Sequence, residues 1–329
     1  MAELPRVTIV TPSYNQAQFL EQTILSVLGQ EYPNLEYMIV DGASQDGSVE
    51  IIQRYASHLT WWVSEKDHGQ SEAINKGFAR ATGDIIGWLN SDDLYQPGAI
   101  ATAVETFQAH PEVGLVFGDV LAIDGENRVL NLMRCGDWGL DELMTFHTLN
   151  QPGVFMKRAV LEQAGYLDPD IHYLLDTQLW LRLAQFAPML YVRNTLAAGR
   201  FHPQAKNMSG TQFYGVDALR LVAWMKTRPV LAARFDRLER QVWAGAYRIG
   251  ARYLLDGGRA WPALKSYARS LVNYPPIALA EWHRMLYAAL CLVGLDKLKP
   301  VYFRLRHAAR AKSLPPLKEF NRPENSKDR

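Results

Sequence analysis

Two carboxylates stand side by side in the run Asn90-Ser91-Asp92-Asp93. Mg²⁺ and Mn²⁺ take oxygen ligands, and their sites often use one or two protein carboxylates with phosphate oxygens completing the shell. The chemistry this points to is departure of a diphosphate, whose growing negative charge a fixed cation stabilises. An Asp-Asp pair also serves as a helix cap or a turn, so its surroundings have to decide. Thr11-Pro12-Ser13-Tyr14-Asn15 and Asp41-Gly42-Ala43-Ser44 each follow a β-like run. A carboxylate at Asp41 suits the imide N–H of a uracil-like base, and Tyr14 suits stacking on its ring. The alternative is that Pro12 and Gly42 only make turns while Asp41 caps a helix. Beyond them, the run from Glu65 to Gly77 sets Asp67 at the end of a third strand and Asn75 on the helix that follows. Three strand ends that each carry an acidic group are hard to reconcile with capping alone.

What positions these residues is an alternation of β-rich runs with helical periodicity, the mark of βαβ units and a largely parallel sheet. Strands are expected over 7–11, 35–40, 59–63, 84–89 and 113–120, and helices over 16–30, 46–55, 72–81 and 97–110. Ser91, Asp92 and Asp93 then lie where a strand leaves the sheet, which is where open α/β sheets bind ligands. Residues 134–153 read as an irregular segment lining an acceptor cleft, followed by helices over 159–164 and 177–186. From about Gln212 the β pattern stops, and 218–225, 231–250, 259–272 and 278–290 read as helices broken by Pro or Gly-Gly. The expected division is a catalytic unit over 1–211, an all-α extension over 212–312 and a polar, disordered tail over 313–329.

Composition narrows the function class. The 329 residues are 48% apolar and 21% charged, enough to fold over most of the length. With 35 basic against 34 acidic residues the net charge is +1, which argues against a nucleic-acid binder acting through whole-molecule charge. Cys135 and Cys291 share no metal-ligand spacing, so neither a disulfide framework nor a zinc site is expected and a reducing compartment fits. The first residues carry no leader pattern, and the late apolar run 277–295 is interrupted by Glu281, His283 and Arg284. The expectation is a cytoplasmic protein. Lys297, Lys299, Arg304, Arg306, Arg310 and Lys312 form one marked basic cluster, a candidate for peripheral contact with the inner face of the cell membrane or else a solvated face.

Taken in order, Thr11-Pro12-Ser13-Tyr14-Asn15, Asp41-Gly42-Ala43-Ser44-Gln45-Asp46-Gly47-Ser48, Asp67 with Gly69-Gln70 and Ala73-Ile74-Asn75-Lys76-Gly77, and Asn90-Ser91-Asp92-Asp93 resemble glycosyltransferase family 2. The resemblance runs from Pro5 to Ser209, about two thirds of the chain. It implies the GT-A fold and an inverting transfer from a nucleotide-diphospho-sugar to a hydroxyl acceptor in cell-surface polysaccharide or glycolipid synthesis. A UDP-sugar is the favoured donor because of Asp41. Donor contacts are then expected at Thr11, Pro12, Tyr14, Asn15, Asp41, Asp67, Gln70, Asn75, Ser91, Asp92 and Lys206, with Mn²⁺ or Mg²⁺ on Asp92, Asp93 and His202.

The general base of such enzymes lies before a Leu-Trp-Leu-Arg helix, which makes Asp176 of Leu175-Asp176-Thr177-Gln178-Leu179-Trp180-Leu181-Arg182 the expected base. Many relatives carry further acids here; Leu175 and Gln178 replace them, leaving Asp176 as the carboxylate of the segment. Asp is also a good helix N-cap, and a helix dipole there would lower its pKa. Gln151-Pro152-Gly153-Val154-Phe155 and Gly165-Tyr166-Leu167-Asp168 match the acceptor side of the family pattern. Two other classes compete. A sugar nucleotidyltransferase should carry a glycine-rich basic loop after the first strand, and Thr11 to Asn15 has neither glycine nor base. A non-catalytic nucleotide- or glycan-binding relative should have lost Asp92, Asp93 or Asp176, and all three are present.

Overall fold

The computed structural model describes residues 4–295 and 314–318, without the side chains of Asn207 and Ser209. Strand β1 (Val7–Ser13), helix α1 (Ala17–Leu28), β2 (Leu35–Asp41), α2 (Ser48–Arg54), β3 (Trp61–Ser64), α3 (Gln70–Arg80) and β4 (Ile85–Trp88) follow the expected alternation. A short β5 (Leu94–Tyr95), α4 (Ala99–Ala109), β6 (Leu115–Asp124), β7 (Val129–Met133), α5 (Leu140–Met144), β8 (Val154–Lys157), α6 (Arg158–Ala164), α7 (Leu175–Leu183) and β9 (Met189–Phe201) complete the sheet region. The strands run in the order β3-β2-β1-β4-β8-β6-β9-β5, with β7 paired to β6. The first four are parallel, β8 is antiparallel to both neighbours, and β6 and β9 are parallel.

The central strands are apolar on both faces because helices cover both. Ile9 packs into a layer with Leu20, Ile24 and Val27 of α1 and Ile100 and Phe107 of α4. Its neighbour Val10 packs on the opposite face with Ile74 and Phe78 of α3 and with Trp180 of α7. At Gly77 of α3 a side chain would meet Val10 Cγ1 at 2.3 Å, so only glycine lets this helix lie so close to β1.

Four strands escaped the sequence reading, β5 being only two residues long. In β9 the polar stretch Arg193-Asn194 is exposed, and the pairing with β6 slips register at Gly118 and Asp119, so no steady alternation marks its 13 residues. β7 is half-buried along its whole length and β8 has only four residues; neither carries a periodic signal.

Residues 206–292 are helical in α8 (Lys206–Ser209), α9 (Tyr214–Lys226), α10 (Pro229–Asp256), α11 (Ala260–Asn273), α12 (Pro275–Leu279) and α13 (Trp282–Leu292). Ala218, Leu221, Val222 and Met225 of α9 join the same core as Trp180, so α9 and α10 share packing with the sheet region rather than forming a detached module. Gly245 of α10 touches the Thr145 carbonyl, and Arg248 donates to Phe146 O at 2.7 Å. The basic cluster 297–312 lies outside the described residues. Of the segment expected as a disordered tail, 314–318 is described and differs: Leu317 packs on Leu94, Leu121, Ile123 and Ala198.

Glu281 sits 5% exposed between α10 and α13, where Arg248 and Arg252 meet its Oε1 and Tyr267 donates to its Oε2 at 2.8 Å. Burial alone would raise its pKa, but Arg252 and Arg248 outweigh it and hold the carboxyl at about 2. A depressed carboxyl contributes stability above its unfolded value that is lost as pH falls toward its folded one. Equilibrium urea unfolding should therefore show Glu281→Ala destabilised by about 3–5 kcal/mol at pH 7, with the difference shrinking between about pH 4.5 and pH 2.

Candidate active site

The carboxyl ends of β1, β2 and β4 point to one rim, and their loops are stitched together before any ligand is considered. Asn15, held at a positive φ of 51°, accepts from Gln45 N at 2.9 Å, and its own N–H donates to Ser44 Oγ at 2.8 Å. Asp46 accepts from Ala17 N and Ser48 N, which pins the starts of α1 and α2. Between these loops Tyr14 is exposed, Gly42 lies beneath it, and Asp67 closes the other side. A Cβ at Gly42 would stand 2.7 Å from Asp67 Oδ2 and 3.2 Å from the Tyr14 ring. The result is a slot walled by an aromatic ring and a carboxylate, with a bare backbone floor.

Several expected donor contacts are placed differently. Asp41 is wholly buried, and Ser44 N, Ser44 Oγ and Ser64 Oγ all donate to it, so its carboxylate braces the loop and presents no surface to a base. The acidic group that reaches the slot is Asp67. Thr11 is also buried, its hydroxyl 3.2 Å from Tyr37 Oη, and Pro12 is buried beside it. Asn75 spends its amide on Leu167, donating to the carbonyl at 2.8 Å and accepting from the N–H at 2.9 Å, which ties α3 to the acceptor side. Ser91 is buried at the strand-end turn.

The two adjacent aspartates part company. Asp93 turns inward, 6% exposed, accepting from Arg200 N at 2.9 Å and Asn90 Nδ2 at 3.2 Å. Burial and the Asp92 charge push its pKa up to about 8, against the pull of those donors. Asp92 turns the other way and meets His202 Nε2 at 3.0 Å through Oδ2. This differs from the expected three-ligand set: Asp93 is an anchor, and among the described residues no cluster of three or more His, Cys, Asp or Glu side chains is assembled for a metal.

The pair that remains still fits a divalent cation. His202 Nδ1 lies 3.2 Å from Gln204 Oε1, an acceptor, which makes Nδ1 the donor and leaves Nε2 to face Asp92. Adjacent ligands of an octahedral Mg²⁺-type shell, at 2.0–2.1 Å from the ion, stand about 3.0 Å apart, and the Asp92–His202 spacing is 3.0 Å.

Arg200, which sequence reasoning passed over as a site residue, locks this geometry. Its guanidinium donates to Asp92 O, Asp124 O, Asn127 Oδ1 and Gln22 Oε1, and lies 4.5 Å over the Phe19 ring. Its place two residues before His202 was the available signal. A cleft of about 420 Å³ borders the His202 ring, walled by Gln18, Phe19, Asp124 and Gln204.

Asp176 occupies the second position of α7 rather than its N-cap, which is Leu174. Burial raises its pKa to about 6 despite donation from Thr177 and the nearby Lys206 charge, so desolvation outweighs the groups that favour the carboxylate. Lys206 donates to Gln70 Oε1 at 3.2 Å, Gln70 donates to Asn90 Oδ1 at 2.9 Å, and Asn90 donates to Asp93. This chain links the neighbourhood of Asp176, on which the Lys206 charge acts, to the loop that carries Asp92 and Asp93. Asp168 accepts from Gln178 Nε2 at 3.0 Å, a packing role.

The hydrogen bond that His202 makes to the Asp92 carboxylate is the largest influence on the ring and raises its pKa, while burial lowers it. In metal-free protein a histidine NMR titration should place His202 above 6.5. Asp92→Asn should carry it downward, because the burial effect then loses its main opponent.

Residues 8–161 match the sequence model of Glycosyl transferase family 2. An uncharacterized glycosyltransferase of Nostoc sp. is 31% identical over 176 residues, covering 50% of this chain and 54% of the relative. The chain thus spans about half the length of the curated relatives it matches first. The mannosyltransferase PcManGT from Pyrobaculum calidifontis, solved with GDP-Man and Mn²⁺, is similar at a TM-score of 0.58 and 22% identity, over 89% of this chain and 88% of its own. S. aureus TarS 1–349, solved with UDP-GlcNAc, is similar at 0.57 and 14% identity, over 84% and 92%. At such identities the likeness is one of fold, the GT-A fold. The ordered motifs, the sheet that carries them and the sequence match coincide on one stretch, residues 8–161, which is similar to glycosyl transferase family 2.

Proposed function

We propose that the protein is an inverting glycosyltransferase that moves a hexosyl group from a nucleotide-diphospho-sugar to a hydroxyl acceptor, with Asp176 as general base. The observation that carries this reading is the link between two unlike centres through the Lys206–Gln70–Asn90 hydrogen-bond chain. On one side an Asp92–His202 pair is spaced for a cation; on the other stands a carboxyl with its pKa lifted to about 6. A cation held by Asp92 and His202 would set positive charge against the diphosphate. The acceptor hydroxyl gives its proton to the Asp176 carboxylate as its oxygen bonds to the anomeric carbon. The carbon–oxygen bond to the diphosphate breaks, its electron pair leaves with the diphosphate, and the anomeric configuration inverts. A carboxylate with a pKa near 6 is a better match to a neutral-pH proton transfer than one at the ordinary value near 4. Lys206, between Gln70 and Asp176, supplies a positive charge on the donor side.

The slot of Tyr14, Gly42 and Asp67 suits a planar base that stacks on the ring and donates an N–H to the carboxylate. We take a UDP-sugar as donor: with Asp41 buried, the role inferred for it passes to Asp67. The TarS structure holds UDP-GlcNAc, while GDP-Man in the Pyrobaculum structure makes guanosine donors the competing case. The family resemblance supports a cell-surface polysaccharide or glycolipid as the acceptor class.

Assays with a panel of UDP- and GDP-sugars and Mn²⁺, scored by nucleotide release, test the reading. Asp176→Asn should lower turnover by about 10³-fold or more while UDP affinity by calorimetry stays within about threefold. The wild-type rate should fall about tenfold per pH unit below an apparent pKa of about 6, because the base must be unprotonated to accept. Full activity in Asp176→Asn would overturn the assignment.

A further inference from the structure

Helix α13 presents two different apolar faces. At 100° per residue, Trp282, Leu286, Leu290 and the following Val293 fall within an arc of about 80°. They are 61%, 51%, 37% and 70% exposed. The opposite side carries Tyr287, Ala288 and Cys291, which pack on Leu255, Ala260 and Ala263 of the α10–α11 pair. The helix is therefore anchored by one face while a second stripe of large side chains is left in water. A row of that kind, headed by a tryptophan, is unusual on a solvated surface and marks a contact.

The sequence states which contact. Directly beyond the stripe the chain carries Lys297, Lys299, Arg304, Arg306, Arg310 and Lys312, against Asp296 as the one acid of 296–312. The whole chain carries a net charge of only +1, so this run of six bases against one acid is a local excess of positive charge, next in sequence to an apolar stripe. Apolar side chains with an aromatic anchor, next to clustered Lys and Arg, match the acyl boundary and headgroup layer of an anionic bilayer.

We propose that the outward face of α13, Trp282, Leu286, Leu290 and Val293, docks on an anionic lipid surface. No helix among the described residues is long and apolar enough to cross a membrane. The inference does not depend on turnover, and its test needs none.

Flotation of the full chain with phosphatidylglycerol–phosphatidylcholine vesicles, and with phosphatidylcholine vesicles alone, decides it. At about 0.1 M salt the protein should float with the anionic vesicles and stay behind with the neutral ones, and at about 0.5 M the bound fraction should fall several-fold. Trp282→Ala/Leu286→Asp should lower the bound fraction at least tenfold with an unchanged melting temperature, since both side chains point outward. If that pair disturbs folding, Trp282→Ala alone should still lower it several-fold. No flotation at low salt, equal flotation of the folded variants, or a wild-type dimer that the substitutions merely split would overturn the proposal.

Discussion

A guanidinium buried at the crossing of three chain segments holds the site together. Arg200 cannot shed its charge, so burying it requires acceptors on every side. Asp92 O, Asp124 O, Asn127 Oδ1 and Gln22 Oε1 provide them, from the strand-end loop, the β6–β7 turn and α1. The same residue's N–H fixes Asp93 from the backbone side. With Asp93 held inward by the Arg200 N–H, Asp92 turns the other way and its Oδ2 lies 3.0 Å from Nε2 of the buried His202. The placing of this pair is thus set by protein contacts that exist before any ligand arrives, which is what preorganised electrostatics requires.

The helical extension takes part in the same design. Tyr214 of α9 and Tyr253 of α10 stack on each other and lie close enough to Asp176 for its charge to act on both hydroxyls. Their bulk helps to keep water from the carboxyl, and burial is the main cause of its raised pKa. Lys206 comes from the short helix that starts this region and reaches back to Gln70 of α3. The raised pKa of Asp176 therefore depends in part on residues of the helical extension. Arg248, joined to both Glu281 and Phe146 O, fixes the extension against the loop that leads to Gln151.

The parallel half of the sheet was legible because each of its strands is a short apolar run followed by a turn and an amphipathic helix. The order of the motifs made the family visible before any coordinates. Harder to read were the directions of side chains within those motifs. Asp92 and Asp93 are neighbours, and neither composition nor spacing tells which carboxylate turns inward; the register of β9, with its slip at Gly118 and Asp119, decides it. Asp41 looked like a base contact because it ends a strand, yet Ser64 of β3, 23 residues away, donates to it and closes it off. Asn75 likewise pairs with Leu167, 92 residues on. Long-range partners of this kind leave no local pattern in a sequence.

The sharpest test is a Mn²⁺ titration followed by electron paramagnetic resonance in the presence of UDP. The account predicts one bound ion per chain, lost in Asp92→Asn and in His202→Ala and kept in Asp93→Asn. Binding that survives loss of the His202 imidazole, or that vanishes with Asp93→Asn in a folded protein, would contradict it.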